Sequence, residues 1–342
     1  MTPPVLAVEG LEVDLVSENI TTRLLDGVSL AIEEQETLGL VGETGCGKSL
    51  TARAVMRLLD KGMRIAHGRV EFRGQNILGL SEADMRRIRG ADISMIFQEP
   101  MTALDPCFTV GSHLVDTLRA HQPITRKEAL RKACFLLERV RMPDPERILR
   151  QYSFELSGGM NQRVLIAMAI ACEPRLLIAD EPTTALDVTV QREILDLIRD
   201  LQQTLETAVL FISHDLGVIA QVCRRVAVMY AGRIVETGPV EAVLEAPVHP
   251  YTQALRACVP TAGSRGQRLQ MIPGELASPG ADSACSFEPR CGHAFDRCRA
   301  ERPILQLADG GQWAACHLVD AAIASRPGDI GIRTQARENV DG

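Results

Sequence analysis

The octet Gly42-Glu43-Thr44-Gly45-Cys46-Gly47-Lys48-Ser49 constrains this chain more than any other feature, because it matches a phosphate-cradling P-loop in full and in context. Before it, Glu36-Thr37-Leu38-Gly39-Leu40-Val41 is a continuous apolar run stopped by glycine, as suits a buried strand feeding a loop. After it a helix is expected. Glycines let backbone N–H groups curl around phosphate oxygens, and the helix turns its positive end toward them. Lys48 is then placed to neutralise β- and γ-phosphates, and the Ser49 hydroxyl to ligate Mg²⁺.

Three further apolar runs read as buried strands: Ile93 to Phe97, Leu176 to Ala179 and Val209 to Ile212. Leu6 to Val13 alternates as a half-buried strand, and Arg225 to Glu236, centred on Ala231-Gly232, reads as a hairpin. A mostly helical stretch lies between, over about residues 98–172. Strands alternating with helices imply an α/β core with a parallel sheet. Near residue 240 the character changes: His249-Pro250-Tyr251 opens a short helix, then Pro, Gly and Ser multiply. The expected division is 1–240, 241–320 and a disordered tail over 321–342.

Leu176-Leu177-Ile178-Ala179-Asp180-Glu181 ends a strand in two carboxylates, at the sheet edge where α/β folds place their chemistry. Asp180 suits a Mg²⁺ shell. Glu181 suits the polarisation of an attacking water, because a carboxylate there can accept its proton. Leu156-Ser157-Gly158-Gly159-Met160-Asn161-Gln162-Arg163 resembles the signature motif of the ABC ATPase family. Gln98 resembles its Q-loop, Ala185-Leu186-Asp187 its D-loop, and His214 its switch histidine. Singly, each has an ordinary structural explanation, Ser157 for instance as a helix N-cap. Their joint order over residues 5–240 carries the resemblance.

That resemblance implies an α/β P-loop NTPase (RecA-like) core with an ABC helical subdomain, and ATPase activity. It implies that Gly42 to Ser49 and Asp180 bind ATP, and that Ser49, Gln98 and Asp180 surround Mg²⁺. Glu181, His214 and Gln98 would act in hydrolysis. Ser157, Gly158 and Gly159 would complete the ATP site of a second cassette, so the chain is expected to pair. The family's adenine-stacking aromatic falls on Leu15 here, which would leave an apolar contact to the base. Cys46 replaces a common serine; its side chain need not touch phosphate, so it reads as a tolerated small residue, although a thiolate near cationic groups would be reactive.

Gln98-Glu99-Pro100-Met101-Thr102-Ala103-Leu104-Asp105-Pro106, Asp180 to Gln191 and His249-Pro250-Tyr251-Thr252 are similar to the dipeptide/oligopeptide branch of ABC importers. The resemblance implies two permease subunits, a second ATPase and an extracytoplasmic substrate-binding protein. Members of the branch also carry nickel, glutathione or haem. A soluble ABC-type ATPase outside transport is the rival class, but such chains usually hold two cassettes or a long coiled coil.

Of ten cysteines, Cys285, Cys291, Cys298 and Cys316 crowd together. They could hold Zn²⁺ or a [4Fe–4S] cluster. The close cysteine pairs usual for structural zinc are missing, and the wide spacing resembles the cluster motif of the importer extension. Free buried thiols or disulfides are the remaining alternative. A segment with few large apolar groups needs such a staple.

Net charge of −7 argues against a nucleic-acid partner. Met1-Thr2-Pro3-Pro4 has no basic n-region, and Val164 to Cys172 falls far short of the roughly 20 residues needed to span a bilayer. The expectation is a peripheral protein at the cytoplasmic face of the inner membrane, held there by partners.

Overall fold

A computed structural model describes residues 3–17, 20–184, 186–259, 271–277 and 284–319. The expected tail over 321–342 lies outside them, as does Ala185. Two antiparallel strands come first, β1 (Leu6–Ser17) and β2 (Ile20–Ile32). β3 (Thr37–Val41) runs into the P-loop and helix α1 (Lys48–Val55) leaves it. β4 (Met63–Phe72) returns to β1 and β5 (Gln75–Asn76) pairs with β4, giving a first sheet of order β2-β1-β4-β5.

After α2 (Glu82–Ile88), β6 (Ile93–Ile96) leads into the helical block: α3 (Pro100–Ala103), α4 (Val110–His121), α5 (Arg126–Arg139), α6 (Pro145–Ile148) and α7 (Gly158–Ala169). Its helix starts are locally encoded. In α5 the Thr125 side chain accepts from the Glu128 N–H while Glu128 reaches back to the Thr125 N–H, a reciprocal capping box.

Then follow β7 (Leu176–Asp180), α8 (Val188–Leu205), β8 (Ala208–Ser213), α9 (Leu216–Val222), β9 (Arg225–Tyr230) and β10 (Arg233–Pro239). The central strands β9, β3, β8, β7 and β6 are mutually parallel, and β10 is antiparallel to β9. The sequence shows these strands as unbroken apolar runs because both faces are covered. Leu176, Ile178, Leu210 and Ile212 face a core shared with the first sheet. Leu177, Ala179, Val209 and Phe211 face the helices. The period of two survives as a choice between two interiors.

The chain crosses residue 240 without a break in packing. α10 (Val240–Glu245) and α11 (Pro250–Ala257) put Val240, Val243 and Tyr251 into the helix-side core, and Phe287 joins them. Beyond α12 (Asp296–Ala300), β11 (Gln306–Leu307) and β12 (Trp313–Ala314) extend the large sheet to the order β11-β12-β10-β9-β3-β8-β7-β6. The residues after 240 thus borrow most of their interior. Among the described residues, their own cluster buries Ala314, Cys316 and Val319. Glu236 in β10 anchors the junction by accepting from the Val248 and His249 N–H groups, at 2.8 and 2.9 Å.

Candidate active site

The P-loop wraps around its own lysine. Lys48 Nζ donates to the Gly42 and Glu43 carbonyls at 2.8 and 3.0 Å and is 4% exposed. Among the described residues no carboxylate comes within ion-pair distance of it, so this buried ammonium has carbonyl partners but no counter-charge. Gly47, at φ +111°, precedes α1, and no side chain caps that helix. Its first amides are left for an anion. At Gly42 a Cβ would stand 2.2 Å from the Met229 carbonyl oxygen, so only glycine lets the loop pass β9. Loop, lysine and helix end fit a phosphate chain.

β7 brings the acids to the same edge. Ser49 Oγ donates to Asp180 Oδ1 at 2.8 Å, which joins the two expected Mg²⁺ ligands directly. Burial pushes the Asp180 carboxyl above its usual range, against the pull of the Ser49 hydroxyl. A dication at this pair would reverse that balance, because it favours the ionised form. Glu181, at φ +46°, turns its carboxylate the other way. Its Oε2 accepts from Gln98 Nε2 at 3.1 Å and from Thr184 Oγ1 at 2.8 Å, with His214 Nδ1 at 3.2 Å. Three side chains from three loops converge on one carboxylate oxygen.

The signature residues stand apart from this cluster. Ser157 caps α7, accepting from the Met160 N–H at 3.3 Å. A Cβ on Gly159 would meet Val190 of α8 at 2.6 Å, and one on Gly158 would approach Leu186. Ser157 and Gly158 are exposed. Leu15 pairs with Met63 and Thr22, on the first sheet. Cys46 is fully buried and burial pushes its thiol up, which suits a tolerated small residue in the loop.

Among the described residues, two of the extension hydrogen-bond to the P-loop. The Glu43 N–H donates to the Tyr251 hydroxyl at 2.9 Å, and Arg290 pairs with the Glu43 carboxylate. Sequence reasoning named Glu43 as a nucleotide residue, and the structure gives its N–H and carboxylate to these partners. Arg290 was missed, as was Thr184. Thr184 lies one helical turn past Glu181, a visible signal, whereas nothing local links Arg290 to position 43.

Cys285, Cys291, Cys298 and Cys316 line one enclosed cavity of about 10 Å³, together with His249, His293 and His317. Burial pushes the Cys285 and Cys291 thiols up, and Cys316 to about 11. All four cysteines are free, so the disulfide alternative is not realised. Among the described residues no group of three or more potential ligands is drawn into metal-binding geometry. The donor set suits a thiolate-bound group. The room as it stands is that of one small ion, and a four-iron cube needs these loops to part.

A parallel sheet with a P-loop, an acid pair at its edge and a helical block carrying the signature define an ABC-type ATPase cassette. Residues 25–184 match the ABC transporter family, and residues 235–298 match the oligopeptide/dipeptide transporter C-terminal region. The chain is 50% identical to a probable peptide ABC transporter ATP-binding protein, y4tR, of Sinorhizobium fredii, over 91% of this chain and 94% of that one. It is 44% identical to the dipeptide transport ATP-binding protein DppD of Escherichia coli, over 91% and 96%. Among solved structures it is similar to the cassette MJ0796 bound to ADP and Pi, with a TM-score of 0.62, 24% identity and 69% and 98% coverage. It is also similar to cbiO1 of Clostridium perfringens, part of the cbiONQ transporter complex, with a TM-score of 0.61, 26% identity and 71% and 92% coverage. The chain belongs to the ABC transporter ATP-binding proteins, in the group with the oligopeptide/dipeptide C-terminal region. It is an ATPase that binds ATP with Mg²⁺, and it works within a transporter complex. Among the described residues no helix is long and apolar enough to cross a membrane.

Proposed function

We propose that this chain energises the import of short peptides, as a peripheral subunit at the cytoplasmic face of the inner membrane. The convergence of Gln98, Thr184 and His214 on Glu181 carries the catalytic part. With Thr184 and His214 holding the carboxylate, Glu181 accepts a proton from the attacking water. Lys48 and the loop amides hold the β- and γ-phosphates. Mg²⁺, when bound between Ser49, Asp180 and Gln98, supplies charge neutralisation at the phosphates. The exposed Ser157 and Gly158, with Gly159, complete the site of a second cassette, and ATP closes the pair.

The peptide cargo rests on the names of the relatives and on the C-terminal match. We divide the labour at residue 240: residues 1–240 bind and hydrolyse ATP, and residues 241–320 form the branch-specific extension. A cavity of about 590 Å³ lined by Phe97, Gln98, Thr102, Ala103 and Met168 supports the surface from Gln98 to Val110 as the seat of a permease helix. Exposed Phe108 and the stacked Tyr152–Phe154 pair support the same reading. The cysteine quartet binds a thiolate-ligated group, with [4Fe–4S] first and zinc second. That group would staple short segments that share little apolar cover.

Reconstitution with two permeases, the second ATPase and the extracytoplasmic binding protein tests the assignment. Di- and oligopeptides should stimulate ATP hydrolysis and accumulate in the vesicles. Stimulation by nickel, glutathione or haem alone, with peptides inert, would replace the cargo.

A further inference from the structure

The ion pair between Arg290 and Glu43 joins residues 247 positions apart, and it is a fork on a fork. Arg290 Nη1 donates to Glu43 Oε2 at 2.8 Å and Nη2 to Oε1 at 3.0 Å. The arginine is held from behind as well. Its Nε donates to the Pro273 carbonyl at 2.8 Å, and its guanidinium lies 5.8 Å from the centre of the Tyr230 ring. The side chain is 4% exposed, against 27% for Glu43, so this is no loose surface pair. A guanidinium fixed at three points cannot follow the carboxylate. The carboxylate is positioned by it.

Glu43 is an awkward residue for its place. It is the second position of a loop built to receive phosphates, and its charge has their sign. Its carbonyl already accepts from Lys48. Released, the carboxylate would repel the incoming anion and compete for the one ammonium that should meet it. Resting on the P-loop reading above, we infer that Arg290 is a positioning residue for the nucleotide: it neutralises Glu43 and fixes the loop so that Lys48 stays available to phosphate. Tyr251, accepting from the Glu43 N–H, holds the same residue by its backbone. Both clamps come from the extension. Arg290 ends the turn Glu288–Arg290, directly before Cys291, so that one turn serves the cysteine cavity and the P-loop together.

Equilibrium binding of a fluorescent ATP analogue to the full chain, with steady-state hydrolysis in the assembled transporter, tests this. R290Q should weaken ATP binding by roughly tenfold, the order expected for one uncompensated charge near the phosphates in a partly screened site. KM should rise with kcat nearly unchanged, because the loss falls on binding. In an E43Q background the same R290Q change should cost less than about twofold, since the charge to be compensated is gone. R290K keeps the charge, loses the fork and should lie between. High salt should shrink the R290Q effect.

Unchanged affinity in R290Q overturns the inference. So does an equal loss in the E43Q background, which would make the arginine a purely structural tie. If R290Q does not fold, R290K and the double variant carry the same comparison. K48A is the control for the underlying reading. ATP binding retained in K48A would overturn the P-loop assignment and this inference with it. Binding lost in K48A but normal in R290Q would overturn this inference alone.

Discussion

Phe211 and Cys298 are both buried, at 0% and 8% exposure, yet they are held by different physics. Phe211 sits mid-strand in β8, with sheet neighbours on both sides and helices over its face. Its position follows from area withdrawn from water, summed over dozens of side chains. Cys298 lies in the five-residue helix α12, beside a cavity shared with three other thiols. What orders that neighbourhood is a short set of directional contacts. The Cys285 N–H donates to the Cys298 carbonyl, and His317 Nε2 meets the Glu301 carbonyl at 3.0 Å. The first kind of order is redundant and survives the loss of one contact. The second is sparse, so the loss of one contact or one thiol should loosen it.

The sharpest separation of the two regions is chemical. E181Q should cut phosphate release by about 10²–10⁴-fold, the usual worth of a general base, and leave ATP binding and the hydrogen exchange of residues 285–319 unchanged. Turnover near wild type would remove Glu181 from its role. F211A comes next. Truncating a buried Phe costs about 3–5 kcal/mol, and the denaturant midpoint should fall for the whole chain, because β12 shares the sheet that Phe211 supports. Extension probes that unfold separately from core probes would break this link.

C298S should act locally, as should chelation of the thiolate-ligated group proposed above. Exchange protection over residues 285–319 should be lost and any iron, about four per chain for a cubane, should leave. The global midpoint should move far less than in F211A. A fall as large as that of F211A would show that the two regions are not held differently. The smallest effect belongs to D187A, at the exposed start of α8. Asp187 Oδ1 accepts from the Thr189 and Val190 N–H groups at 3.0 Å, and losing this cap should cost about 1 kcal/mol. Differential scanning calorimetry would register it as a fall of a few degrees at most.

The same contrast explains what could be read in the sequence. Strands buried on both faces, such as Leu176–Asp180 and Ala208–Ser213, are visible as apolar runs because composition there is dictated by two interiors. The P-loop is legible because phosphate binding fixes residue type and spacing together. Glu181 was legible from the neighbouring strand end, and Thr184 lay within reach of a turn-spacing argument. Arg290 was not legible. Its partner is chosen by the path of the chain across the finished sheet, and a lone arginine before a cysteine carries no mark of that path. Composition beyond residue 240 suggested a separate small unit. The strand pairing of Trp313 and Ala314 with Thr237 and Glu236 is two residues long, too short to leave a pattern.

That short pairing sets a hazard during synthesis. β10 carries Val235 and Glu236 in the sheet, and until β12 arrives its outer edge of N–H and C=O groups has no partner. The chain must be made for about 75 residues beyond β10 before Trp313 can close it. An open strand edge in a hydrophobic sheet is a template for another chain. A product ending before Gln306 should therefore self-associate through β10, gathering into strand-paired aggregates as its concentration rises. In the finished protein the edge ends in β11 and β12, two residues each, too short to recruit a neighbour.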